Sequence, residues 1–233
     1  MEQLTFELAV PEPPTFANFV PGRNAEVVAA LRQWAAGAVA ETGVLLWGGH
    51  GSGRTHLLHA VVAAASAMPG RGPVLLQACA EAAEAEPPGP GSLVVIDDIH
   101  SASSDAQGRL FTLYNRLRET GGHLLVAADA PPTRLPLRED VRTRLGWGLV
   151  FEVVVLADPE KALALTGYAQ ERGVPLSGDV VAWLLAHGRR DMSTLTATLH
   201  ALDRYSLASK RPITVPLARE WSRKAGDLFG DNG

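Results

Sequence analysis

Gly48-Gly-His-Gly-Ser-Gly-Arg-Thr55 is the stretch on which the reading of this chain turns. Its glycines and closing hydroxyl have the spacing of a phosphate-binding loop, with Arg54 where that motif calls for lysine. Gly43-Val-Leu-Leu-Trp47 ahead of it is an apolar run suited to a buried strand, and residues 55–67 behind it are rich in Leu and Ala and helix-prone. Glycines between a strand and a helix let consecutive backbone N–H groups turn toward an anion, and the helix N-terminus adds partial positive charge. Gly48, Gly49, His50, Gly51, Ser52, Gly53 and Arg54 are therefore candidates for holding phosphates, and Thr55 for offering its hydroxyl to Mg2+. Arginine brings a wide planar fork in place of a compact ammonium, so binding is expected to survive and the geometry for hydrolysis to suffer.

Outward from the loop, further apolar runs at 74–78, 93–96, 124–128 and 149–156 alternate with longer segments. That rhythm predicts an α/β fold with a parallel sheet. The run 93–96 ends in Asp97 and Asp98, two carboxylates that would repel one another without a cation, so Asp97 is a candidate Mg2+ holder and Asp98 a candidate for orienting an attacking water. Asp129 closes the next run and can meet the outer phosphate or that water. His56 and His59 lack matching ligands elsewhere and read as packing or polar-face residues. Residues 81–90, acidic and rich in Pro and Gly, read as the loop between the second and third strands and the mobile one. From Asp158 onward strands vanish. Asp158-Pro-Glu starts one helix with Asp158 as cap and proline at the first helical position, Ser177-Gly-Asp starts a second, and Asp191 precedes a third in which Leu195, Leu199 and Leu202 form a core stripe.

Composition bounds the class. The 233 residues are 46% apolar and 20% charged with net charge −4, enough for one substantial core or a main domain plus a small one, and without the basic bulk that nucleic acid or an anionic membrane surface would favour. No apolar stretch approaches the ~20 residues of a membrane helix, and no internal repeat is evident. The only cysteine, Cys79, cannot form an intrachain disulfide, and the N-terminus lacks the basic and apolar regions of a signal peptide, so a cytoplasmic location is expected.

Leu46 to Ala60 around the glycine loop, Ile96-Asp-Asp-Ile99 and Leu145-Gly-Trp-Gly148 together resemble the AAA+ module of the DnaA family of bacterial replication initiators, and most closely its shortened Hda-type members, which look alike in carrying arginine at the position of Arg54. The resemblance covers nearly the whole chain. It implies an AAA+ P-loop domain with a five-stranded parallel sheet over residues 13–156, followed by a small all-helical lid and short tail over 157–233, and ADP or ATP with Mg2+ as ligands. Thr15 to Gly22 looks like the family's adenine-side segment, with Phe16, Phe19 and Val20 supplying apolar contact. Arg144 matches the arginine finger that acts on nucleotide held by a neighbouring subunit, with Arg142 a nearby alternative. Arg190, rather than Arg189, looks like the lid arginine that senses phosphate.

Residues 1–12 resemble a sliding-clamp-binding tail, with Gln3, Leu4, Phe6 and Leu8 as the contacts, although Glu7 departs from the apolar end of that motif. Only a short tail follows Trp221, so a helix-turn-helix DNA-binding domain is not expected. The function implied is that of a regulatory inactivator, which with the DNA-loaded clamp (the beta subunit of DNA polymerase III) stimulates ATP hydrolysis by DnaA. An autonomous AAA+ loader ATPase and a non-enzymatic, nucleotide-stabilised clamp-binding scaffold are the alternatives, and a homo-oligomer is compatible with each.

Overall fold

A computed structural model describes residues 13–70, 72–77, 79, 89–189 and 191–225. They divide into two compact units, Pro13–Val155 and the residues from Leu156 onward. In the first unit β1 (Gly43–Trp47), β2 (Val74–Gln77), β3 (Leu93–Ile96), β4 (His123–Ala128) and β5 (Leu149–Glu152) form one five-stranded sheet in the order β2-β3-β4-β1-β5, every pairing parallel. Continuous apolar runs suit strands covered on both faces. One face carries α1 (Ala25–Ala35) and α2 (Arg54–Ser66), whose Leu31, Trp34, Leu57 and Val61 pack with Leu46 and Val95. The other carries α3 (Ser104–Glu119) and α4 (Glu139–Trp147), whose Leu110, Tyr114, Leu117 and Val141 pack with Leu45 and Val126. Each fully buried leucine contributes about 1.5–3 kcal/mol of apolar burial.

The order of the sheet positions the site. β3, β4 and β1 are consecutive neighbours, so the residues that follow their C-terminal ends, Asp97, Asp129 and Gly48, emerge along one edge. The last strand is shorter than the apolar run 149–156 predicts, because the chain leaves the sheet after Glu152 to pass the glycine loop. Val153 still donates its N–H to the Trp47 carbonyl (2.7 Å), and the buried Asn24 side chain then takes over as partner to Val154. Most of the predicted loop 81–90 lies outside the described residues.

The second unit consists, among the described residues, of α5 (Asp158–Glu171), α6 (Gly178–His187), α7 (Met192–Ser209) and α8 (Val215–Ala225) around Leu165, Leu184, Leu195, Leu199, Leu202 and Trp221. Leu195, Leu199 and Leu202 form the core stripe that their spacing predicts. Asp191 caps α7 by accepting from the Thr194 N–H (2.8 Å), an interaction worth about 1 kcal/mol. Burial opposes its ionisation, yet the bonds from Ser193 and Thr194 and the nearby Arg189 outweigh burial and lower its pKa. Asp158, by contrast, is not the cap of α5. Ala157 holds that position, and Glu160 reaches back to accept the Ala157 N–H (2.7 Å), which leaves Asp158 as the first helical residue. Among the described residues no helix is long and apolar enough to cross a membrane.

Candidate functional site

The glycine loop runs from the end of β1 into α2 and is shaped by contacts that admit no side chain. A Cβ on Gly48 would lie 2.2 Å from the Val153 carbonyl oxygen, and one on Gly53 would lie 2.7 Å from the Phe19 ring. Gly51 and Gly53 also have φ of 74° and 97°, where other residues are strained. Gly53 occupies the N-cap of α2, so no side chain caps this helix. Among the described residues the backbone N–H groups of Gly51, Gly53, Arg54 and Thr55 find no acceptor. Ser52 Oγ and Arg54 Nη1 are likewise buried without a hydrogen-bond partner. Donors left open around a loop at a helix N-terminus fit an anionic ligand. Gly49 and His50 complete the loop, and His50 is exposed.

Thr55 and Asp97 meet directly. Thr55 Oγ1 donates to Asp97 Oδ2 at 2.6 Å, while the other Asp97 oxygen accepts the Asp98 N–H at 2.9 Å. A hydroxyl and a carboxylate side by side offer oxygen ligands of the kind Mg2+ takes. Asp98 turns into a left-handed conformation (φ 49°), its carbonyl accepts from Ser101, and its side chain is exposed and makes no hydrogen bond among the described residues. Asp129 is exposed at the end of β4, with Oδ1 3.8 Å from His100 Nδ1.

The segment from Thr15 to Val20 lies against the same helix. The Phe19 ring faces Gly53 and sits 5.3 Å from the His56 ring, the His56 Nε2–H donates to the Thr15 carbonyl (2.9 Å), and Phe16 and Val20 are half-buried. Arg32 of α1 donates to the Phe16 carbonyl (2.9 Å) with its guanidinium over the Phe16 ring (5.4 Å). His56 thus ties two elements together, a role its reading as a packing residue does not foresee.

Arg144 lies elsewhere in the unit, on the α3/α4 face. Its Nε donates to Asn115 Oδ1 (2.9 Å), its Nη1 to the Asp140 carbonyl (3.2 Å), and its guanidinium carbon lies 3.7 Å from the Phe111 ring centroid and 5.3 Å from that of Trp147, itself 55% exposed. The side chain is half-buried, and Nη2 makes no hydrogen bond among the described residues. All these contacts belong to α3 and α4, and none to the glycine loop. Asn115 and Phe111 carry no signal in the sequence, because they meet Arg144 across 29 residues or more and belong to an ordinary helix face. Arg142 is half-buried nearby. Arg190, Gln3, Leu4, Phe6 and Leu8 lie outside the described residues.

An edge-of-sheet phosphate loop, a strand-end aspartate beside its threonine and a separate helical unit define the AAA+ P-loop class. A family model for the bacterial DnaA ATPase domain matches residues 11–74 and 91–152, and one for the Hda lid domain matches residues 158–221. The chain belongs to the DnaA-related AAA+ family, close to Hda. Among solved structures it is similar to domain III of the Thermotoga maritima replication initiation protein DnaA, with TM-score 0.74 and 17% identity over 95% of this chain and 100% of that one. It is also similar to AMPPCP-bound DnaA from Aquifex aeolicus (TM-score 0.69, 16% identity, 91% of this chain and 70% of that one). A further likeness is to the Thermotoga maritima RuvB Holliday junction branch migration motor (TM-score 0.64, 18% identity, 91% and 72%). At these identities the likeness is one of fold.

Proposed function

We propose that this chain is a regulatory inactivator of replication initiation: it binds an adenine nucleotide, ADP in its working state, docks through residues 3–8 on the DNA-loaded sliding clamp, and presents Arg144 to ATP held by DnaA. The observation that carries the reading is the arrangement of Arg144. Two of its nitrogens are tied to its own chain, the guanidinium is stacked on Phe111, and the Nη2 edge is left for a ligand that its own loop does not supply. A guanidinium held in advance pays little ordering cost when it meets a phosphoryl group, and its planar fork suits phosphate oxygens. Arg54, in the place of the loop lysine, favours holding a nucleotide over turning it over.

Within this reading the open N–H groups of Gly51, Gly53, Arg54 and Thr55 hold the phosphates, Thr55 and Asp97 would hold Mg2+, and Phe16, Phe19 and Val20 border the base. Mg2+, when bound, would supply positive charge that neutralises the phosphates. Asp98 and Asp129 follow the ends of the neighbouring strands β3 and β4 on the same edge. The experiment is ATP hydrolysis by DnaA in the presence of clamp and DNA, with and without this chain. Arg144→Ala is expected to remove the stimulation, roughly 10³-fold or more, while ADP binding by the variant stays within about threefold of the parent. Full stimulation by Arg144→Ala would refute the finger, and stimulation that survives removal of residues 1–8 would refute clamp docking through them.

A further inference from the structure

Thr55 and His56 are consecutive residues of the first turn of α2, and they reach different partners. Thr55 is bonded to Asp97 on the strand-end side, and His56 to the carbonyl of Thr15. Residues 13–18 form a closed turn of their own: the Thr15 N–H and Oγ1 both donate to Asn18 Oδ1 (2.8 and 3.0 Å), and Asn18 Nδ2 donates back to the Pro13 carbonyl (3.0 Å). The turn delivers Phe19 to the position where a Gly53 side chain would stand. Its carbonyls are pinned at two successive residues, Phe16 by Arg32 of α1 and Thr15 by His56. Only the second pin belongs to the helix that carries the phosphate loop.

We propose that His56 is a positioning residue for the nucleoside end of the ligand, fixing the Thr15–Phe19 wall against Gly53 and so setting the preference for adenosine over other nucleosides. The inference rests on the reading that the chain binds an adenine nucleotide, and it assigns to His56 a part that neither the phosphates nor the magnesium require. The imidazole can do this because it is half-buried between two elements, stacks obliquely on Phe19 (53° between planes) and presents a directed N–H to a main-chain oxygen.

The test is calorimetric titration of the full chain, in Mg2+, with ADP, GDP and pyrophosphate. His56→Leu, which keeps bulk and loses the donor, is expected to weaken ADP about tenfold, the scale of one hydrogen bond, to leave pyrophosphate unchanged and to narrow the ratio of ADP to GDP affinity. His56→Gln can donate an N–H to the same carbonyl and is expected to keep ADP within about threefold of the parent. Phe19→Ala changes no residue of α2 and is expected to give the pattern of His56→Leu, so the outcome does not hang on one variant folding. Unchanged ADP and GDP affinities in both His56→Leu and Phe19→Ala would overturn the proposal. A parallel loss of ADP and pyrophosphate in His56→Leu would overturn it too, since His56 would then serve only the loop. A parent protein that binds pyrophosphate but not ADP would instead refute the nucleotide reading.

Discussion

The glycine loop and the Arg144 face belong to one folded unit and are built by opposite means. The loop is made of main chain: left-handed glycines, uncapped N–H groups and a carbonyl pressed against Gly48 leave side chains a minor part. The Arg144 face is made of side chains, with one guanidinium gripped by an amide, an aromatic face and a carbonyl on two helices. A site of main chain depends on which residues can adopt a path. A site of side chains depends on which groups meet after folding. The first is therefore expected to be most sensitive at its glycines, and the second to weaken contact by contact.

Three measurements test that contrast and a fourth tests the lid by itself, in descending order of expected effect. Arg144→Lys keeps the charge and loses the planar fork, and is expected to cost nearly as much stimulation of the partner as Arg144→Ala, again roughly 10³-fold; retention of more than a tenth of the parent rate would show that charge alone suffices. Gly48→Ala forces a methyl into the Val153 carbonyl and is expected to destabilise the unit by about 1–3 kcal/mol, visible as a lower Tm together with weaker ADP binding. An unchanged Tm would mean that the loop is not set by this contact.

Asn115→Leu removes the acceptor of Arg144 Nε and, on the role proposed for Arg144, is expected to lower the maximal stimulated rate by about tenfold with Tm unchanged, because misplacing the guanidinium would cost rate before it costs stability. Loss of affinity for the partner without loss of maximal rate would assign Asn115 to docking instead. Smallest is an effect confined to the lid. Glu220 accepts from Tyr205 first, then from Arg211 and Lys224, which bring its pKa down from 4.5 to about 2. A carboxyl whose folded pKa is depressed stabilises above its unfolded value and loses that contribution as pH falls. Thermal melts should show a shallow loss between about pH 4.5 and 2 that Glu220→Gln abolishes; an identical acid profile in the variant would remove the role.

The main-chain site was legible before folding was considered. Glycine spacing, the run into Asp97 and the rhythm of apolar segments carry the parallel sheet and the loop, because φ above zero and burial on both faces restrict residue type at each position. The lid core was legible at Leu195, Leu199 and Leu202 for the same kind of reason. What escaped depends on distant partners. Asn115 and Phe111 are ordinary helix residues until α4 lies beside α3, and His56 looks like a polar-face residue until residues 13–18 close into a turn, whereas the start of α5 escaped for a local reason: the helix begins one residue earlier than a capping aspartate predicts, with Ala157 as N-cap and Glu160 accepting its N–H. The early end of β5 escaped as well, since apolar character persists through Leu156 after the hydrogen-bonding partner has changed.

That change of partner has a consequence for how the molecule behaves among others. β5 is an outer strand, and a bare outer strand invites a foreign chain to zip onto it. Where it departs, the carboxamide of Asn24 both gives to the Val154 oxygen (2.9 Å) and takes from its nitrogen (2.8 Å), imitating with one side chain the two-way exchange of a neighbouring ribbon. Aspartate there could take but not give, so that change at residue 24 would leave the Val154 oxygen without its donor and undo half of the imitation.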